Sequence, residues 1–178
     1  MNKLTKKQGG FVEISLPWVF LIVGIMGVVA YTTVLPLMDD ANADALNSGN
    51  TLMVKNIRAS YRNATSFTGL NNTEGVTMEV APANWMSGTA SITNTEGGSV
   101  TLSTANISGT ADGFSIAHAL LDGGLCREHV NDVLPLAHII RVGGTTVKSA
   151  GATTLNPSIV NAACNNASNT VTSIYTRQ

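Results

Sequence analysis

The sequence predicts an α+β fold: a long N-terminal α-helix packed on an antiparallel β-sheet, with a disulfide-closed C-terminal region. Three observations carry this. A nearly unbroken apolar run over 16–35 passes into an amphipathic pattern that lasts to about residue 66. Short alternating runs separated by turn-rich stretches follow it. Both cysteines, Cys126 and Cys164, lie in the C-terminal third. A length of 178 residues suits one domain plus an appendage.

The apolar run comes first. Charged residues are 12% of the chain, low for a soluble domain, and the deficit is local. Between Ile14 and Met38 no acid or base occurs apart from Tyr31. At about 1.5 Å of rise per residue, roughly 20 apolar residues cross a bilayer core, so 11–37 is expected to be a hydrophobic transmembrane helix. A cleaved secretory signal fits less well. The run is longer than a signal h-region, and no small-x-small site with a change of character follows it. Lys3, Lys6 and Lys7 precede the run and predict a cytoplasmic N-terminus. Trp18 reads as an interfacial anchor, and Gly24 and Gly27 as positions where helices approach closely.

The second half of the helix is expected over 38–66. Leu46, Met53, Ile57 and Tyr61 recur at helical spacing, with Asn50 in the gap of the stripe, while Asn47, Lys55, Asn56 and Arg62 face away. Pro36 lacks a backbone donor, which predicts a kink or local unwinding, and Gly49 is a further weak point. The globular part, 38–178, continues after "TGLNNTEG" with strands expected at 76–80, 89–94 and 99–104, the last two joined by a turn at 96–98. "GFSIAHALLDGGLCREHV" reads as a strand from Phe114 to Ile116, with a helix either through Leu120 and Leu121 or across Cys126 to Val130. Residues 138–147 read as strand, Gly-Gly turn, strand. Residues 169–175 read as a closing strand, with Val171 and Ser173 on one side and Thr172 and Ile174 on the other.

Chemistry is sparse. No nucleophile elbow, phosphate loop or paired-carboxylate pattern occurs, so the chain does not read as an enzyme, and no cofactor is expected. A net charge of −1 with no basic patch gives no support to nucleic-acid binding. His118, His129 and His138 read as surface or loop histidines rather than metal ligands, and the cysteines have no metal-ligand spacing. Outside the cytoplasm, Cys126 and Cys164 would form a disulfide. Closing that loop is worth roughly 3–4 kcal/mol in the chain-entropy picture.

A short basic leader ending in glycine, an aromatic residue, the nearby Glu13 and a long apolar helix together resemble a type IV prepilin. "GIMGVV" (24–29) resembles the helix core of type IVb pilins. The pieces "GFSI" (113–116), "LC" (125–126), "IIRVGG" (139–144), "AACN" (162–165) and "NTVTSI" (169–174) resemble type IVb pilins that include the major subunits of conjugative thin pili. The resemblance covers most of the chain and is weakest over 70–110.

It implies a leader over 1–10, cut by a prepilin peptidase that then N-methylates the new first residue. Gly10/Phe11 is the favoured bond and makes Glu13 the third mature residue; a cut after Gly9 makes it the fourth. The family has its glutamate at the fifth. The precursor would sit in the bacterial inner membrane. The pilus assembly machinery there would pass it into an extracellular homo-oligomeric helical filament, serving adhesion, aggregation or mating-pair stabilisation. Glu13 would assist assembly by pairing with the new α-amine, because an unpaired carboxylate in hydrocarbon is costly. Loops within 143–163 would carry partner contacts. Two rivals stay open: a minor pilin or secretion-system pseudopilin, and a single-span membrane-anchored binding module that never polymerises.

Overall fold

The computed structural model describes residues 15–177, and within 15–40 only the side chains of 20–26 and 28. Helix α1 runs from Ser15 to Ser60. The helical assignment continues through Pro36, so the local unwinding expected there does not occur. The chain divides into two units, 1–40 and 41–178.

In the second unit, α1 buries Ala43, Leu46, Asn50, Met53, Val54 and Ile57, one stripe at spacings of three and four. Gly49 lies in the same contact for a steric reason. A Cβ there would come within 2.4 Å of the Trp85 ring, so the indole packs directly on helix backbone. Trp85 ends a 3-10 turn, Ala83–Trp85, that leads into β1 (Met86–Ser87), which pairs with β2 (Ser91–Ile92).

The strand expected at 76–80 is absent, and a short helix, α2 (Asn72–Thr77), takes its place. Local chemistry decides this against the alternating pattern. The Asn71 side chain accepts from the Glu74 N–H as an N-cap. Gly75 packs so closely on Leu102 that a Cβ would lie 2.4 Å from it. The following Glu79 has φ +51°, which no strand allows. The strand expected at 89–94 shrinks to Ser91–Ile92 plus an isolated bridge from Thr93 to Ser99. The turn at 96–98 forms as expected. Asn94 Oδ1 accepts from the N–H groups of Glu96 and Gly98, and Gly97 has φ +74°.

The main sheet has five antiparallel strands, β3 (Val100–Ala105), β4 (Gly113–Leu121), β5 (Ile139–Val142), β6 (Thr145–Lys148) and β7 (Asn169–Thr176), in the order β3-β4-β7-β5-β6. The C-terminal strand is thus central. Its alternation fits that place: Asn169, Val171, Ser173 and Tyr175 are buried, and Ile174 and Thr172 are half-buried. Register pairs Phe114 with Tyr175 and Ile116 with Ser173 on one side, and Ile140 with Ser173 on the other. The β5–β6 hairpin turns at Gly143 and Gly144, with φ +56° and +96°, as the Gly-Gly pair predicts.

The ambiguity after Phe114 resolves at Asp122. Strand β4 continues to Leu121, and the Asp122 side chain caps α3 (Gly123–Val133) by accepting from the Leu125 N–H. Helix α4 (Pro157–Ala163) starts with Asn156 as cap and proline in its first turn.

Candidate functional site

Three features of the chain have functional content: a bare apolar stretch of helix, a polar seam under α1, and the disulfide. In the first unit, Phe20, Leu21, Ile22, Val23, Ile25, Met26 and Val28 are all exposed, Phe20 by 71% and Met26 by 68%. Successive residues step by 100°, so Phe20 to Val23 alone cover every side of the helix. An all-round apolar surface of this kind is covered by lipid or by other protein in use. Among the described residues, no helix is long and apolar enough to cross a membrane. Gly10, Phe11 and Glu13, expected as the cleavage and assembly residues, lie outside the described residues.

The second unit holds a polar seam that sequence reasoning missed. His118 and His129, expected at the surface, are both fully buried. Their rings meet edge to face at 4.9 Å, and Trp85 stands 6.0 Å from His118. Each imidazole meets an asparagine of α1. His129 Nδ1 lies 2.7 Å from Asn47 Oδ1, and His118 Nε2 lies 3.2 Å from Asn50 Oδ1. The amide orientations settle the tautomers. Asn47 donates its Nδ2 to the Asp132 carboxylate, and Asn50 donates its Nδ2 to Tyr175 Oη at 2.9 Å. The Asp132 carboxylate can only accept, so the Asn47 oxygen accepts from His129 Nδ1–H; with Asn50 turned to donate to Tyr175, its oxygen accepts from His118 Nε2–H.

The other ring nitrogens, His118 Nδ1 and His129 Nε2, have no partner among the described residues. A second proton would sit in apolar surroundings without an acceptor, so both rings stay neutral. Burial, with the His129 field added, holds His118 well below its usual range, and burial alone brings His129 to about 4. Tyr175 is pushed up to about 12, first by burial.

The sequence did hold a signal. His118 is in phase with Phe114 and Ile116 on the inward face of β4, and His129 is in phase with Cys126, Val130 and Val133 on α3. Among the described residues, no group of three or more His, Cys, Asp or Glu could hold a metal ion. The seam clamps α1 to the sheet, and Arg58 adds to it by donating Nε and Nη2 to the Thr176 carbonyl at 3.2 and 3.0 Å.

Cys126 and Cys164 form the expected disulfide, with Cα atoms 5.7 Å apart. It joins α3 to the end of α4, and both cysteines are fully buried. Lys148, buried within the closed loop, donates to the carbonyls of Leu134 and Ala137, which tethers β6 to the chain leaving α3.

A long helix with a bare apolar stretch, followed by a stretch clamped to an antiparallel sheet closed by a disulfide, defines the pilin class of structural subunit. A family model described as PilS N terminal matches residues 40–176. The chain belongs to this family of type IV pilins and is a structural pilus subunit, not an enzyme. The fold is similar to that of a type IV b pilin from Salmonella typhi, with a TM-score of 0.58 at 15% identity, covering 74% of this chain and 97% of that one. It is also similar to TcpA, a type IV pilin from Vibrio cholerae El Tor biotype, with a TM-score of 0.59 at 16% identity, covering 76% and 99%. None of the curated proteins matches the chain.

Proposed function

We propose that this chain is the major subunit of a type IVb pilus and polymerises through its hydrophobic N-terminal helix. A prepilin peptidase removes 1–10 and methylates Phe11. The precursor waits in the inner membrane with its N-terminus in the cytoplasm, and the assembly machinery moves it into an extracellular filament. The filament serves adhesion, aggregation or mating-pair stabilisation. Glu13 pairs with the α-amine made by cleavage, on its own or a neighbouring copy, which neutralises a carboxylate that would otherwise stand alone in an apolar core.

The observation that supports this reading is the all-round exposure of apolar side chains from Phe20 to Val28. A surface that wide has two natural covers, lipid before assembly and the helices of other copies after it. The experiment is to shear cells that express the chain, then sequence the N-terminus and measure the intact mass of the sheared protein. A major pilin dominates that fraction and starts at methylated Phe11. A processed chain that is scarce in the filaments is a minor pilin. A chain found only as an uncut monomer that keeps Met1 sinks the proposal and leaves a membrane-anchored module.

A further inference from the structure

Two oppositely charged cavities lie at the two ends of the part of α1 in the second unit. Asp44 and Arg58 are fourteen residues apart in the helix, about 21 Å along its axis, and Arg62 lies in the turn that follows Ser60. At the first end an open cavity of about 390 Å³ is lined by Asp44, Asn47, Thr51 and Asp132. At the second, a cavity of about 260 Å³ is lined by Arg58, Arg62 and Arg177, with Tyr61 and Phe67 beneath them. The exposed Lys55 lies between them along the helix.

The arginine cavity is built rather than incidental. Arg58 is half-buried and fixed by its two bonds to the Thr176 carbonyl. The Arg177 guanidinium sits 5.5 Å from the centre of the Phe67 ring. Glu74 acts electrostatically on Tyr61, which lines the same cavity, and the three guanidiniums outweigh its single charge. Three like charges gathered around one cavity repel one another and favour an anionic guest with planar oxygen pairs, which is what carboxylates offer.

We infer that the arginine-lined cavity at the C-terminal end of α1 receives the Asp44 and Asp132 groove of a second copy of this chain. The occupant is chosen by charge complementarity. The same chain carries the matching acidic groove farther down α1, and a parallel copy that is both shifted along the axis and turned about it sets that groove against the arginines. The contact is heterologous: each copy uses its acidic end on one neighbour and its basic end on the next. Such a contact does not close on itself and extends into a helical array. The inference rests on the reading of this chain as a filament subunit, for which it supplies a contact outside the apolar helix.

The test uses the full chain and charge exchange. Asp44→Arg sets a cation against the arginines, Arg62→Asp sets a carboxylate opposite Asp44 while Arg58 and Arg177 remain, and each is expected to lower the yield of sheared filaments by about tenfold or more. The double exchange, Asp44→Arg with Arg62→Asp, restores opposite charges and is expected to recover most of that yield. Protease resistance and an intact Cys126–Cys164 disulfide in the cell-associated protein check that each variant folds. A second variant, Asp44→Cys with Arg62→Cys, is expected to give a ladder of disulfide-linked multimers in filaments.

Folded single variants that assemble at the original yield overturn the contact. So do filaments of the double-cysteine variant that give no ladder, and in both cases the pilus reading stands. If the unaltered chain forms no filament at all, the pilus reading falls and the contact falls with it.

Discussion

Acidifying the folded protein from about pH 7 to about pH 4.5 should cost it stability through the two buried histidines. In the unfolded chain each imidazole takes up a proton near its ordinary value of 6.5. In the folded protein His129 does so only at about 4, and His118 lies well below 6.5. Between those values the unfolded state binds more protons, so stability is fully present above about pH 6.5 and falls as the pH drops toward 4.

His129 alone then removes about 2–3 kcal/mol by pH 4.5, and His118 adds in the same direction. Asn47 and Asn50 of α1 hydrogen-bond the pair, Trp85 packs on His118, and the Asp132 carboxylate reaches His129 through the Asn47 amide. Urea denaturation followed by the fluorescence of buried Trp85, at closely spaced pH values, measures it. His129→Gln should remove about one proton from the slope between pH 4 and 6.5. A stability that stays flat over this window, or a slope that His129→Gln leaves unchanged, refutes the account of a neutral buried pair.

Other perturbations have equally defined outcomes. Gly49→Ala places a methyl 2.4 Å from the Trp85 ring and should lower stability by about 1–3 kcal/mol, read as a shift of the urea midpoint. Asn50→Ala strips partners from both His118 and Tyr175 and should cost about 2–5 kcal/mol, against near-neutrality for a conservative change at exposed Lys55. Cys126→Ser with Cys164→Ser opens the closed loop and should cost roughly 3–4 kcal/mol, seen as early proteolysis between α3 and α4. Glu13→Ala should leave the disulfide-closed domain folded while reducing filament yield; assembly at the original yield rejects its pairing role.

What the sequence conveyed, and what it did not, follows from the range of the forces involved. The Gly143-Gly144 hairpin was legible because positive φ is a local demand with few residue solutions. The boundary between β4 and α3 carried a readable signal in Asp122, a cap whose bond spans only three residues. The stripe through Leu46, Met53 and Ile57 was legible because burial repeats along one helix. Residues 76–80 misled because alternation over five residues is weak, and the deciding facts were the Asn71 cap and the contact of Gly75 with distant Leu102. The histidines misled for a similar reason. Polarity suggests exposure until a partner is known, and Asn47 and Asn50 stand 82 and 68 residues away from theirs. The central place of β7 is likewise set by pairing with β4 and β5, which no local pattern specifies.

The polar seam also bears on why α1 needs asparagines where leucine would bury more apolar area. An apolar stripe tolerates sliding by a turn, since one greasy contact replaces another at little cost. The hydrogen bonds that Asn47 and Asn50 share with two particular imidazoles and with Tyr175 do not, because a shift of about 5 Å leaves several buried polar groups without partners. Arg58 on the Thr176 carbonyl reads the same register from the other end. The seam therefore fixes where along α1 the sheet is carried. That same register sets which helix residues meet the groups supplied from outside the helix, Asp132 of α3 beside Asp44 and Arg177, just past β7, beside Arg58 and Arg62. A helix free to slip would misplace the Arg177 guanidinium against Arg58 and Arg62, so the buried polar atoms specify the surface charge pattern on which contact between copies depends.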